Sequence, residues 1–308
     1  MAQLMNGPNF LCIGAHKAGT TWLQKVLETH PDVFLPMKEI HFFDRDPSYP
    51  SSNYLAAPSP FTRLMKKKNR TRNIKIARAL AKSILTVNTE RFRFFSNFFL
   101  TVNDQWYPNL FATKRKYKVK GDITPAYSIL REEDVQKIRD MNPGMKIIFI
   151  MRNPIYRDWS AARYNITEHG HNVNSIKYFD RDEMILRGDY LRTIEHYSKF
   201  FPTDQILYCF FEELVETPHE FYNRLCRFLG IAPCAGTFIT KQINKSPIQL
   251  FNPTIRLYLA SRHLAQLKNL ADRFGGYCEG WYQEAKKIIE QGVVERQNIL
   301  FPKVDQNQ

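Results

Sequence analysis

The sequence predicts an α/β fold with a central parallel sheet flanked by helices, and three observations lead there. Short apolar runs of strand length alternate with amphipathic helical patterns along most of the chain. The first of these runs ends in a glycine and passes through the turn GAHKAGTT straight into a helical pattern, the layout of a P-loop-type domain. The main departure from the alternation is a basic segment from about residue 47 to 105, which reads as a helical insert.

Asn9 to Ile13 is the first predicted strand, apolar at every position after the asparagine, and Thr20 to Thr29 is the first helix. DVFLP, Asp32 to Pro36, reads as a second short strand closed by its proline. Lys118 to Ile123 and Lys146 to Met151 follow as core strands; the second, KIIFIM, is unbroken by any polar residue after its lysine. Ile206 to Phe211 is a further apolar run of strand length. Between them, Arg131 to Met141, Ile155 to Glu168, Tyr190 to Phe200 and Pro218 to Leu229 carry helical periodicity. The insert contains RLMKKKNRTRNIKIARALAKSIL and RFRFFSNFFL, basic and partly amphipathic, suited either to a solvated cap or to a lid. The chain from about 251 to 308 is helical in pattern. The whole, 1–308, reads as one domain with an insert and a C-terminal extension.

Composition narrows the function. A hydrophobic content of 44% fits a folded protein of enzyme size rather than a disordered one. No run approaches the ~18–20 consecutive apolar residues of a membrane span, and the first residues lack the pattern of a signal peptide. A cytoplasmic location is the resulting expectation. The five cysteines are scattered without a Cys-x-x-Cys pair, and the histidines show no H-E-x-x-H spacing, so neither a disulfide framework nor a metal is expected. A net charge of +14 suits anionic ligands without separating a nucleotide from a sulfated glycan or a nucleic acid.

The loop is the most specific feature. Gly14 and Gly19 have the spacing of G-x-x-x-x-G-K-[ST], but Thr20 stands where that motif has its lysine. Lys17 lies three residues earlier, inside the turn, from where it reaches over a bound phosphate. No convincing acidic strand end is found to hold magnesium beside a triphosphate. A nucleotide kinase or other phosphotransferase is therefore the weaker alternative, together with a non-catalytic polyanion binder acting through the insert.

GAHKAGTTWL resembles the 5′-phosphosulfate loop of sulfotransferases that use 3′-phosphoadenosine 5′-phosphosulfate (PAPS). MRNPIYRDWSAARYN resembles the 3′-phosphate motif of the same family, with Arg152 and Ser160 at its arginine and serine positions. PMKEIHFFDRD resembles the KE-x-HFFD segment of the heparan sulfate glucosaminyl 3-O-sulfotransferases. The resemblance implies a PAPS donor, a PAP (3′,5′-ADP) product and a metal-independent transfer to a hydroxyl of a saccharide or small natural product, with no nucleic-acid partner. It implies Lys17 beside the leaving oxygen, and the backbone of Ala18, Gly19, Thr20, Thr21 and Trp22 around the 5′-phosphate. It further implies Arg152 and Ser160 on the 3′-phosphate, Glu39 as base, and Lys38, His41 and Asp44 lining the acceptor, His41 with a part in catalysis. Two departures stand out. The family's K-[ST]-P lysine is replaced by Ile123 in GDITPAY, and QINKSPIQLFNPTIR replaces a cofactor loop with paired cysteines. The missing lysine favours a smaller acceptor in a soluble, bacterial-type enzyme. Trp106, Tyr107 and Tyr127 are expected to supply aromatic surface for the acceptor.

Overall fold

The computed structural model describes residues 7–51, 54–169, 176–234 and 251–300, the side chains of 166–169 and 293–300 aside. It divides into two compact units, Met1–Ile150 with Thr193–Ile243, and Met151–Arg192 with Asn244–Gln308.

In the first unit, five strands form one sheet in the order β2-β3-β1-β4-β5. They are β1 (Phe10–Gly14), β2 (Val33–Phe34), β3 (Val119–Ile123), β4 (Lys146–Met151) and β5 (Ile206–Phe210). β1 pairs in parallel with both β3 and β4, and β2 in parallel with β3. Every residue of β1 is buried, which is why that strand is a continuous apolar run and not an alternating one. Phe10 lies opposite Gly121 in the register, and a Cβ at residue 121 would stand 2.0 Å from the Phe10 ring, so only glycine fits there.

The helix Thr20–Leu27 leaves the loop after β1 and buries Trp22, Leu23, Val26 and Leu27. The helix Pro218–Leu229 has proline in its first turn and ends at Gly230, whose φ of 77° is the left-handed cap that glycine supplies without strain. Two strands are shorter than their sequence patterns suggest. Only Val33 and Phe34 of DVFLP pair, because Pro36 has no N–H for the ladder. β5 stops at Phe210 because Phe211 opens the helix Phe211–Glu216.

The basic segment is helical as expected, with helices Pro60–Met65, Arg70–Leu85 and Thr89–Ser96. Arg63, fully buried, ties it together by donating to the carbonyls of Ala57 at 2.9 Å, Phe98 at 3.0 Å and Leu100 at 2.6 Å. The aromatic residues expected at the surface are in the core instead. Tyr107 stacks on Phe42 at 4.6 Å, Tyr127 packs edge-on to Phe43, and Trp106 is buried against Phe98. Their rings are held by the HFF side chains, leaving no aromatic face for an acceptor.

The second unit contains the helices Pro154–His169 and Asp182–Gly188 and a long pair, Pro253–Phe274 and Gly276–Leu300. Asn252 caps the first of the pair, its side chain accepting from Thr254 N at 2.9 Å. Gly275 and Gly276, both at positive φ, make the turn between them. No helix among the described residues is long and apolar enough to cross a membrane. QINKSPIQL falls outside the described residues.

Candidate active site

β1 delivers the chain into the phosphate-type loop. Lys17 adopts a φ of 69°, in the left-handed region that non-glycine residues seldom occupy. Gly19 follows at 89° as the residue capping the helix, and a Cβ there would stand 3.1 Å from Leu214 and 3.3 Å from Phe211. Ala18 N–H is committed to the Ala15 carbonyl at 3.2 Å, and Trp22 N–H to that of Gly19 at 2.9 Å. The amides in position to meet an anion are therefore those of Gly19, Thr20 and Thr21. The helix has no side-chain cap and no acidic residue in its first turn, so the positive end of its dipole is not neutralised from within. Thr20 is buried, and the Trp22 ring belongs to the core, edge-on to Phe221.

The segment after β2 carries the second group of residues. It is pinned to the end of β3. Glu39 N–H donates to Ile123 O at 2.9 Å, Ile40 N–H to Thr124 Oγ1 at 3.0 Å, and Phe42 N–H to Tyr127 Oη at 3.0 Å. Behind these, fully buried Asp122 accepts from Thr124 Oγ1 at 2.7 Å and from the hydroxyls of Tyr107 and Tyr127, each at 2.9 Å. Glu39 and His41 both take a φ of 62°. Lys17, Glu39 and His41 are thus three of only four non-glycine residues at positive φ among the described residues. Such conformations persist only where the surroundings enforce them, and here the enforcing bonds are visible.

The side chains converge. His41 donates from Nδ1 to Asp44 Oδ2 at 2.7 Å, and its Nε2 lies 3.6 Å from Glu39 Oε2. Lys38 Nζ donates to Thr21 Oγ1 at 2.7 Å and stands 3.5 Å from Glu39 Oε1. One ammonium group therefore joins the start of the loop helix to the Glu39 carboxylate. Arg72, from the helix Arg70–Leu85, donates from Nη2 to the carbonyls of Glu39 at 2.7 Å and Ile40 at 3.3 Å. Ile123, where the resembled motif has lysine, is wholly buried and bridges to Lys38 through the backbone.

Burial pushes the Glu39 carboxyl up, but the His41 ring 3.6 Å away and the charges of Lys38, His41 and His16 outweigh it and hold the carboxyl well below the ordinary carboxylate range. The dependence on His16 ties the loop electrostatically to the carboxylate. Burial pulls His41 down, and its hydrogen bond to Asp44 together with the Glu39 carboxylate 3.6 Å away more than reverses this, raising it above the usual histidine value. His41 thus stands between two carboxylates that favour its protonated form. Asp122 is raised by burial despite its three donors. Cys12, on β1, is pushed up to about 12 by burial and is an inert thiol. Among the described residues no group of acidic, histidine or cysteine side chains could hold a metal ion.

Arg152 and Ser160 belong to the second unit. Arg152 directly follows β4 and its carbonyl accepts from Tyr190 Oη at 2.9 Å; Ser160 is buried on the helix Pro154–His169. Sequence reasoning missed Arg72, Asp122 and Thr124. The last two had a signal, two polar side chains flanking Ile123 at the C-terminal end of a predicted strand. Arg72 had none, being one basic residue among many in the insert.

A glycine-turned loop at a bare helix end is thus joined through Lys38 to a carboxylate–histidine–carboxylate row. Residues 8–233 match the sulfotransferase family, and the chain belongs to it. It is 24% identical over 236 residues to human heparan sulfate glucosamine 3-O-sulfotransferase 6, covering 73% of this chain and 52% of that protein. It is likewise 24% identical over 234 residues to human heparan sulfate glucosamine 3-O-sulfotransferase 3B1, covering 73% of this chain and 46% of the relative. The chain thus spans about half the length of the curated relatives it matches. The crystal structure of a sulfotransferase from Alicyclobacillus acidocaldarius superposes with a TM-score of 0.60 at 21% identity, over 89% of this chain and 98% of that one, which shows the shared fold.

Proposed function

We propose that this sulfotransferase moves the sulfuryl group of PAPS to a hydroxyl of a saccharide or small-molecule acceptor, with Lys17 and Glu39 as its catalytic residues. The observation that carries this reading is the Lys38 bridge, Thr21 Oγ1 at 2.7 Å on one side and Glu39 Oε1 at 3.5 Å on the other. It brings an anion-binding helix start and a carboxylate to the same place.

The residues present fit such a donor. The uncapped helix start and the amides of Gly19, Thr20 and Thr21 suit a 5′-phosphate, with the Thr20 and Thr21 hydroxyls beside them. Arg152 and Ser160 are assigned to the 3′-phosphate, where a guanidinium offers a charge-assisted fork and a hydroxyl a further donor. PAPS supplies an activated sulfur whose bond to the bridging oxygen breaks with charge accumulating on that oxygen. Lys17 neutralises this charge as it develops. Glu39 accepts the proton of the acceptor hydroxyl, while His41, fixed by Asp44, orients the carboxylate. A carboxylate held so low is a weak base, which suffices when the transition state is loose and the proton leaves late. Lys38 stands beside the position of the missing family lysine and takes over its contact with the transferring group.

The test uses PAP and two variants. PAP without magnesium should raise the melting temperature, and Mg–ATP should not. Lys17→Ala and Glu39→Gln should each lower turnover with PAPS by roughly 10² or more. A preference for Mg–ATP would replace this reading with a phosphotransferase, and near-normal rates in either variant would remove that residue from its role.

A further inference from the structure

The insert is far more basic and far more apolar on its surface than the rest of the chain. Residues 60–100 contain eleven lysines and arginines against the single acidic Glu90, so this stretch holds +10 of the chain's +14. The same stretch holds ten of the fourteen exposed large apolar side chains among the described residues. The four most exposed of all are there: Leu85 at 84%, Val87 at 82%, Phe61 at 71% and Met65 at 70%.

These two properties meet on the insert's longest helix and on the segments that flank it in sequence. On the helix Arg70–Leu85 the positions Arg70, Ile74, Arg78, Lys82 and Leu85 recur at i+4 or i+3 and are all exposed, so basic and apolar side chains line the same face. The opposite face, through Ile76 and Ser83, is buried. Before the helix, Phe61 and Met65 precede Lys66, Lys67 and Lys68, all exposed. After it, Leu85 and Val87 project at the turn, and Val87 is held at a φ of 51°, an unfavourable backbone for a β-branched residue. No acidic side chain pairs with Lys66, Lys67, Lys68, Lys75, Arg78 or Lys82 among the described residues.

We propose that this face of the insert docks on the surface of an anionic phospholipid bilayer, the lysines and arginines meeting lipid headgroups and Phe61, Met65, Leu85 and Val87 entering the headgroup–acyl boundary. Charge decides between occupants. A second copy of the chain would bring +10 against +10 across an isologous contact. A sulfated glycan or nucleic acid would satisfy the charge and leave the most exposed apolar side chains in water. Only an anionic bilayer takes both at once, as amphipathic basic helices do. The docking is peripheral and independent of the sulfuryl-transfer reading.

The test is co-sedimentation of the full chain with phosphatidylcholine vesicles, alone or with about a third phosphatidylserine. Binding should require phosphatidylserine and weaken as salt rises. Lys67→Glu with Lys68→Glu, and separately Met65→Asp with Leu85→Asp, should each reduce partitioning at least about tenfold while thermal melting stays unchanged. Equal binding to both vesicle types, or none to either, overturns the proposal. So does loss of binding in the charge variant alone with heparin binding lost in parallel, which would assign the face to a soluble polyanion. A dimer broken by the apolar variant, without vesicle binding in the parent, would assign it to self-association.

Discussion

Arg72 Nη2 donates to the Glu39 carbonyl oxygen at 2.7 Å, so a residue of the basic insert holds the backbone of the proposed base. The same guanidinium reaches Ile40 O at 3.3 Å and stacks over the Tyr54 ring at 4.9 Å. Burial lowers its pKa, yet it stays charged at neutral pH, and each bond to a carbonyl is charge-assisted. The insert thereby supports the backbone of the segment that carries Glu39.

Removing that grip should be felt in turnover before it is felt in binding. A charge-assisted hydrogen bond contributes about 1.5–3 kcal/mol, so Arg72→Ala should lower kcat by roughly 10- to 100-fold as Glu39 leaves its left-handed backbone. PAP affinity, read by calorimetry, should stay within about twofold, because the loop amides keep their own geometry. Arg72→Lys should rescue only in part, since the shorter ammonium side chain loses the planar stacking over the Tyr54 ring. A kcat equal to the parent's would show that Glu39 is fixed by Ile123 O and its neighbours alone.

On the proposed reading the acid limb of the pH–rate profile should report the Glu39–His41 pair. Glu39 is held below its ordinary value of 4.5, so it is ionised through the neutral range and kcat/KM should fall only below that pH. His41 is raised above its ordinary 6.5, so what its protonated form contributes to stability is fully present below 6.5 and is lost as pH rises through the raised value. Deleting the imidazole removes the neighbour that does most to lower Glu39. In His41→Gln the acid limb should therefore move upward, and a limb that stays put would take His41 out of control of the base.

Asp122 makes a stability prediction that reaches the site. Its three donors, Thr124 and the two tyrosine hydroxyls, have no water to turn to at full burial. Asp122→Ala strands them, at a cost of about 1–3 kcal/mol for a buried group left unpaired. It also frees Thr124 and Tyr127, which hold Ile40 and Phe42. Urea denaturation should show a lower midpoint, and kcat should fall with it. The pKa gives a second check. Asp122 is raised from 3.8, so its ionisation opposes folding above 3.8, an opposition relieved as pH falls. Asp122→Asn should lose least relative to the parent near neutral pH.

How much of this was legible in the sequence depended on whether a feature lies along the chain or between distant parts of it. β1 and β4 were readable because complete burial demands unbroken apolar residues. The turn into the first helix was readable because Gly14 and Gly19 frame it at close spacing. The left-handed backbones of Glu39 and His41 were not, since their cause is Ile123, Thr124 and Tyr127, more than eighty residues away. Trp106, Tyr107 and Tyr127 were placed at the surface because an aromatic residue in a short polar-flanked stretch has no periodicity to say which side is inward. Their stacking on Phe42 and Phe43 decides it. Arg72 was hidden by its own context, since a basic residue among basic residues signals solvent.

Lys38 and Arg152 should separate donor binding from transfer. On the proposed reading Arg152 serves the 3′-phosphate, so Arg152→Ala should weaken PAP by roughly 10- to 100-fold, the range of a charge-assisted bond, with little change in kcat at saturating PAPS. Lys38 instead touches Thr21 Oγ1 at 2.7 Å and lowers Glu39 by its charge. Lys38→Met should leave PAP affinity close to the parent's, reduce kcat and move the acid limb upward with the freed carboxylate. If Lys38→Met weakens PAP as much as Arg152→Ala does, then Lys38 belongs to the donor's phosphates, and the position left by Ile123 has no cation.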